Sequence, residues 1–294
     1  MPPLRPSSRR AALLALLALL GLGGCSITGV LSATTPGAGG ALRDISYAAG
    51  PRHTLDIYRP ARRAEPAPVV VFFYGGTWQM GDKADYAFVG KALAAKGFLA
   101  VIPDYRLYPE VRYPEFLRDG AQAVRWARDN ASRYGGDPRR LFLMGHSAGA
   151  YNAVMLTVDE RWLAQAGVDA RRELRGTVGI SGPYDFLPLS DPTLMTIFGP
   201  EATRPRTQPV AYVDGKEPPL LLLHGLKDTT VYPRNTERLA ARVSEQGGRA
   251  EARFYKGLNH TGAIGAVAAP LRFLAPVLED SVRFMERQGA APAG

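Results

Sequence analysis

Cysteine is almost missing from this chain: Cys25 is the only one in 294 residues. A single thiol closes no intramolecular disulfide and builds no cysteine-rich metal site. Long basic runs are missing too. The net charge is +9, yet lysine and arginine come singly or in pairs, such as Arg62-Arg63, Arg139-Arg140 and Arg171-Arg172. Nucleic-acid binders gather their charge on one face around a recognisable module, and neither feature is present. There is no internal repeat. What remains is an ordinary globular balance, 46% hydrophobic and 21% charged. It excludes a wholly disordered, collagen-like or coiled-coil chain, and either one α/β domain of ~250 residues or two small ones fits the length.

The amino terminus reads as an address. Arg5, Arg9 and Arg10 come without an acid and are followed by an apolar run from Ala11 to Gly24. The run is short for a membrane span of ~20 residues and fits a secretory signal. Leu22-Gly23-Gly24-Cys25 then resembles a bacterial lipoprotein lipobox. That resemblance implies a signal peptide over residues 1–24, diacylglycerol on the Cys25 thiol and a mature chain beginning at Cys25. The alternative is an uncleaved anchor with Cys25 incidental. Ser26, rather than Asp, follows the cysteine, which in that family implies the outer membrane of a cell envelope that has one. Residues 25–40, rich in Gly, Ser and Thr, are expected to be a flexible tether to a domain over residues 41–294.

Within that domain short apolar runs alternate with helical ones. Strands are expected at 69–74, 98–103, 141–145, 177–181, 220–225 and 252–255. Helices are expected at about 86–96, 115–134, 148–158, 235–246 and 275–287. Strands apolar on both faces, alternating with helices, imply an α/β fold with a mostly parallel sheet covered on two sides. The Pro-rich stretch 182–219 lies between two strands and reads as a small insertion capping the sheet.

Gly145-His146-Ser147-Ala148-Gly149 matches G-x-S-x-G between an apolar strand and a helical run. That context points to a sharp turn presenting Ser147 as a nucleophile. With Tyr74-Gly75-Gly76-Thr77-Trp78, Asp104-Tyr105-Arg106-Leu107-Tyr108-Pro109-Glu110 and His224-Gly225-Leu226-Lys227-Asp228 in this order, the chain resembles the α/β-hydrolase superfamily. More narrowly it is similar to esterases of the hormone-sensitive-lipase and kynurenine-formamidase-like groups.

A serine hydroxyl needs a neighbouring base. Of the four histidines, His53 lies ahead of the first expected strand, the turn is expected to point His146 away, and His224 reads as a structural strand-end residue. His260 follows the final strand, as the chain order Ser, acid, His requires. The acid is assigned to Asp228, by its spacing after the strand at 220–225, with Asp185 as the competitor after the preceding strand. Ala148 N–H is one expected oxyanion donor. The resemblance adds Gly76 and Thr77, although Tyr74 stands where the family usually has His. Trp78, Tyr184, Phe186 and Phe198 are candidate pocket walls. The reading is a serine hydrolase cleaving small-molecule carboxylic esters through an acyl-enzyme, with no metal or organic cofactor implied and a membrane contact through Cys25. An arylformamidase or other amide hydrolase is the rival within the class, and a non-catalytic binding lipoprotein is the rival outside it.

Overall fold

The computed structural model describes residues 27–61 and 65–290. The signal, the lipobox and Cys25 lie outside them. Eight strands form one sheet: β1 (Ala41–Ser46), β2 (Thr54–Tyr58), β3 (Ala67–Phe73), β4 (Leu99–Pro103), β5 (Gly136–His146), β6 (Leu174–Ile180), β7 (Leu220–Gly225) and β8 (Ala250–Tyr255). Their order across the sheet is β1-β2-β4-β3-β5-β6-β7-β8. The six strands from β4 to β8 run parallel, while β2 pairs antiparallel with both β1 and β4. The described helices are α1 (Ile27–Thr34), α2 (Ala87–Ala95), α3 (Glu115–Asn130), α4 (Ala148–Val158), α5 (Arg161–Gln165), α6 (Ala170–Glu173), α7 (Pro192–Phe198), α8 (Arg234–Glu245), α9 (His260–Gly265) and α10 (Val277–Ala290). Helices α3 and α4 pack together beside β3 and β5, and α2 meets α10. Central strands are buried on both faces, with Val69–Phe73, Leu141–Met144 and Leu220–Leu223 all inaccessible. That is why they read as continuous apolar runs rather than as alternation.

Two features depart from the sequence reading. First, β1 and β2 flank His53, so the sheet begins earlier than expected. Charge hid them: Asp56 on β2 is buried, yet it is paired with Arg43 of β1, and its other oxygen faces Lys83 at 3.9 Å. His53 itself reaches Asp119 of α3, Nε2 to Oδ1 3.1 Å. Second, residues 27–34 of the expected tether form α1, docked on the domain. Leu31 and Thr35 are buried. Lys91 Nζ donates to the Ser32 carbonyl at 2.6 Å, Thr28 Oγ1 to Asp85 at 3.2 Å, and Ala269 N–H to Thr35 Oγ1 at 3.1 Å. One leucine and a few hydroxyls make no periodic pattern in the sequence, but together they tie the segment down. Among the described residues no helix is long and apolar enough to cross a membrane.

Candidate active site

The parallel strands bring their carboxyl ends to one edge, and the loops after β3, β5, β7 and β8 meet there. In sheets of this kind the carboxyl edge is where chemistry collects. Ser147 sits between the end of β5 and the start of α4 with φ 56° and ψ −124°. Such a backbone is costly for any residue with a Cβ. It is held by Ser147 N–H donating to the Ile180 carbonyl at 2.9 Å. The flanking glycines are explained by contact distances. A Cβ on Gly145 would stand 2.2 Å from the Gly149 carbonyl oxygen, and one on Gly149 would stand 2.1 Å from that of Phe73. Both obstacles are backbone, so neither can swing aside. Gly149→Ala should therefore cost at least about 1–3 kcal/mol of stability. A thermal melt unchanged from wild type would contradict this steric account.

His260 opens α9 just after β8, and its Nε2 lies 2.9 Å from Ser147 Oγ. Its Nδ1 lies 2.7 Å from Asp228 Oδ2. Asp228 is three residues beyond β7, and its Oδ1 accepts from Thr230 and Val231 N–H at 3.0 and 2.9 Å. His224 adds a further contact, with Nε2 at 3.3 Å from Asp228 Oδ2 and 2.8 Å from the Val231 carbonyl. Both partners only accept, so Nε2 carries the hydrogen and Nδ1 accepts from Thr236 Oγ1 at 2.8 Å. Burial alone would raise the Asp228 pKa. The bonds from His224, His260 and Val231 outweigh burial and hold it well below the usual carboxylate range. Asp185, the competing acid, is instead half-exposed and paired with Arg238 at 2.9 Å.

His146 does not point away from the site. Its Nε2 approaches the His260 carbonyl at 3.3 Å, and the two rings are 4.9 Å apart. Burial, then the neighbouring His260, pushes its pKa down to about 3. It is thus a neutral brace under the His260 loop. The sequence reading missed this because the direction of one side chain at a turn is a tertiary fact.

The loop after β3 carries three successive positive φ angles, Gly76 at 129°, Thr77 at 53° and Trp78 at 57°. For a β-branched threonine this is a true outlier. The Gly76 carbonyl accepts from Gln79 and Met80 N–H, each at 3.0 Å. The N–H groups of Gly76, Thr77 and Ala148 find no acceptor among the described residues. Gly75 brings this loop against the nucleophile, since a Cβ there would be 3.0 Å from that of Ser147. Tyr74 anchors the loop from behind. Its hydroxyl donates to Asp104 Oδ1 at 2.9 Å and accepts from Arg52 Nη2 at 2.7 Å. The Tyr105 hydroxyl donates to the Tyr74 carbonyl at 2.7 Å. The Asp104-Tyr105 stretch therefore acts as a support for the loop.

A cavity of about 230 Å³ opens beside Ser147, with Thr77, Trp78, Ala148, Phe186 and Leu194 among its walls. Two expected wall residues are elsewhere. Tyr184 is fully buried and fills the hollow left by Gly179 and Gly182, where a Cβ would come within 2.0 and 2.4 Å of its ring and hydroxyl atoms. Phe198 stands behind Trp78, edge-on at 4.9 Å, and faces a different cavity. Asp191, Arg234 and Asn235 line the cavity without having been singled out in the sequence. The Asp191-Pro192 pair was a usable signal: Asp191 caps α7 by accepting from Leu194 N–H at 2.8 Å, with proline at the first helical position.

A family model described as BD-FAE matches residues 55–243. The chain is 30% identical over 240 residues to a probable isoprenylcysteine alpha-carbonyl methylesterase of Oryza sativa subsp. japonica, covering 74% of this chain and 56% of that one. It is 31% identical over 209 residues to esterase LipC of Mycobacterium tuberculosis (strain ATCC 25618 / H37Rv), covering 64% of this chain and 51% of that one. The chain thus spans about half the length of these curated relatives. Among solved structures, a truncated form of a carbohydrate esterase from gut microbiota superposes with a TM-score of 0.75 at 21% identity, covering 88% of this chain and 98% of that one. The fold is that of an α/β hydrolase.

Proposed function

This chain belongs to the BD-FAE family, and on that footing we propose that it hydrolyses carboxylic esters through an acyl-enzyme on Ser147. The observation that carries the reading is the unbroken line Ser147 Oγ, His260 and Asp228, at 2.9 and 2.7 Å, beside an open cavity. Ser147 Oγ attacks the ester carbonyl carbon while His260 Nε2 takes its proton. The charge that develops on the carbonyl oxygen is met by the N–H groups of Ala148, Gly76 and Thr77. The tetrahedral adduct expels the alcohol, which leaves with the proton from His260. Water then attacks the acyl-serine with His260 again as base, releasing the acid and restoring Ser147. Asp228 holds the Nδ1–H tautomer and stabilises the imidazolium. A cavity of about 230 Å³ lies below the ~300–1,000 Å³ of drug-sized sites, which supports a small acyl group.

A fluorophosphonate probe tests the reading. Intact protein should gain one adduct, located on Ser147, and Ser147→Ala should gain none. Absence of labelling on folded wild type would leave a non-catalytic binding role. Turnover of p-nitrophenyl acyl esters should exceed that of aryl formamides, and the reverse order would reassign the chemistry to amides.

We also propose that Cys25 carries the lipid that its sequence context implies, with the domain at a membrane surface of the cell envelope. Two residues span at most ~7 Å of chain, and Ile27 already belongs to docked α1. A lipid on Cys25 would therefore hold the domain close to the bilayer rather than on a long leash. Cys25→Ala should move the protein out of the membrane fraction with activity per molecule unchanged. An unmodified Cys25 found by mass spectrometry in the mature protein would overturn this reading and leave the hydrolase assignment standing.

A further inference from the structure

A second cavity, of about 380 Å³, lies on the opposite side of α7 from the catalytic one. Its walls include Arg112, Arg161 and Arg206 and the rings of Tyr113, Trp162 and Tyr212, and no Asp or Glu lines it. Arg161 is neutralised by buried Asp159, with bonds of 2.7 and 2.8 Å, and its guanidinium lies over Trp162 and Tyr212 at 5.8 and 5.2 Å. The side chains of Arg112 and Arg206 have no ion-pair or hydrogen-bond partner among the described residues. The hydroxyl hydrogens around the cavity are already used. Tyr113 and Tyr212 both donate to the Arg206 carbonyl, at 3.4 and 2.6 Å, and Thr196 and Thr203 donate to backbone carbonyls at 3.0 and 2.9 Å.

The free donors are thus two guanidinium groups, beside aromatic faces. Such a set calls for a ligand that accepts and carries negative charge, with a ring to lie against the aromatic walls. We propose that this cavity is a second binding site, for a small organic anion whose carboxylate is carried on an aromatic or sugar ring. The volume lies within the usual range for small-molecule sites, ~300–1,000 Å³. The site adjoins the catalytic wall. Leu194 of α7 faces the catalytic cavity, while Thr196, Ile197 and Phe198 face the second. Phe198 in turn meets Trp78 edge-on at 4.9 Å. A ligand held here would brace α7 and the Trp78 wall from behind.

The test is a titration of the full chain with benzoate and with glucuronate, followed by tryptophan fluorescence, because Trp162 is part of the wall. The expected result is saturable binding of at least one acid. Benzamide, glucose and inorganic phosphate should bind at least about tenfold more weakly, since each lacks either the charge or the ring. The two acids separate an aromatic ligand from a sugar acid. Arg112→Gln with Arg206→Gln should weaken binding by about tenfold or more while leaving the fold intact, as both side chains are exposed. Prior phosphonylation of Ser147 should leave affinity unchanged. The proposal fails if neither acid saturates, if the neutral analogues or phosphate bind equally well, or if the arginine substitutions have no effect. It also fails if blocking Ser147 abolishes binding, which would place the ligand in the catalytic cavity. Apart from the phosphonylation control, none of these readouts needs a reactive Ser147, so they stand or fall apart from the ester-hydrolase reading.

Discussion

Ser147→Ala lowers kcat/KM on a p-nitrophenyl ester by on the order of 10⁴-fold or more while circular dichroism and the melting temperature stay close to wild type. The size of the loss follows from what is removed: the atom that attacks the carbonyl and that lies 2.9 Å from His260 Nε2. The survival of the fold follows from what is kept. The Ser147 backbone at φ 56° is held by its N–H bond to Ile180 and by the close packing of Gly145 and Gly149. None of these uses the hydroxyl. Alanine meets the same φ penalty as serine, so the elbow has no reason to relax. Activity within tenfold of wild type, on protein purified free of other esterases, would remove Ser147 from the mechanism.

Asp228→Asn should be nearly as damaging, with a loss of about 10⁴-fold in kcat. The carboxylate accepts from four sides: Thr230 N–H, Val231 N–H, His260 and His224. An asparagine must present its NH₂ to one of those donors. If Oδ1 stays with the two backbone N–H groups, Nδ2 faces His260 Nδ1 and selects the tautomer that cannot accept the serine proton. Asp185→Asn removes an ion pair to exposed Arg238, a contact class worth about 0–1 kcal/mol, and activity should stay within a few-fold. A larger loss at Asp185 than at Asp228 would place the acid after β6. Stability should follow the same logic under acid. The Asp228 pKa is lowered by folding, so its contribution is present above the unfolded carboxylate range and is lost as pH falls through the folded value. Asp228→Asn should therefore flatten the acid limb of the melting curve.

The residues that the structure gathers at the sheet edge were legible for a local reason. Gly-x-Ser-x-Gly, Gly75-Gly76 and the run into Asp228 each lie at the carboxyl end of a strand. There a tight turn dictates glycine, and a strand buried on both faces dictates an apolar run. These constraints act over a few residues, and the sequence records them directly. Strands β1 and β2 were not legible, because Arg43, Asp44 and Asp56 interrupt their pattern. Of these only Asp56 is buried, and its pairing with Arg43 and Lys83 makes its charge tolerable there. Helix α1 was read as a tether for the complementary reason. Its composition is that of a linker, and its anchorage comes from Lys91, Asp85 and Ala269, which lie 57 to 234 residues away from their partners.

The pocket divides in the same way. Trp78 lines the cavity beside Ser147 because it follows Gly76 and Thr77 on the neighbouring loop. Tyr184 and Phe198 were misplaced because an aromatic residue in an insertion has the same composition whether it faces a cavity or a neighbouring ring. Two glycines, 179 and 182, draw Tyr184 into the sheet end, and Trp78 itself stands between Phe198 and the catalytic cavity. Sequence by itself determined the strand ends, the sharp turn at Ser147 and the chain order of Ser147, Asp228 and His260, since hydrophobic burial and backbone sterics act locally. Only the tertiary structure decided that His146 and His224 brace the other two, that Asp185 stands apart, and which face of α7 looks into which cavity. Those outcomes depend on the directions of side chains from elements remote in sequence, which no local preference encodes.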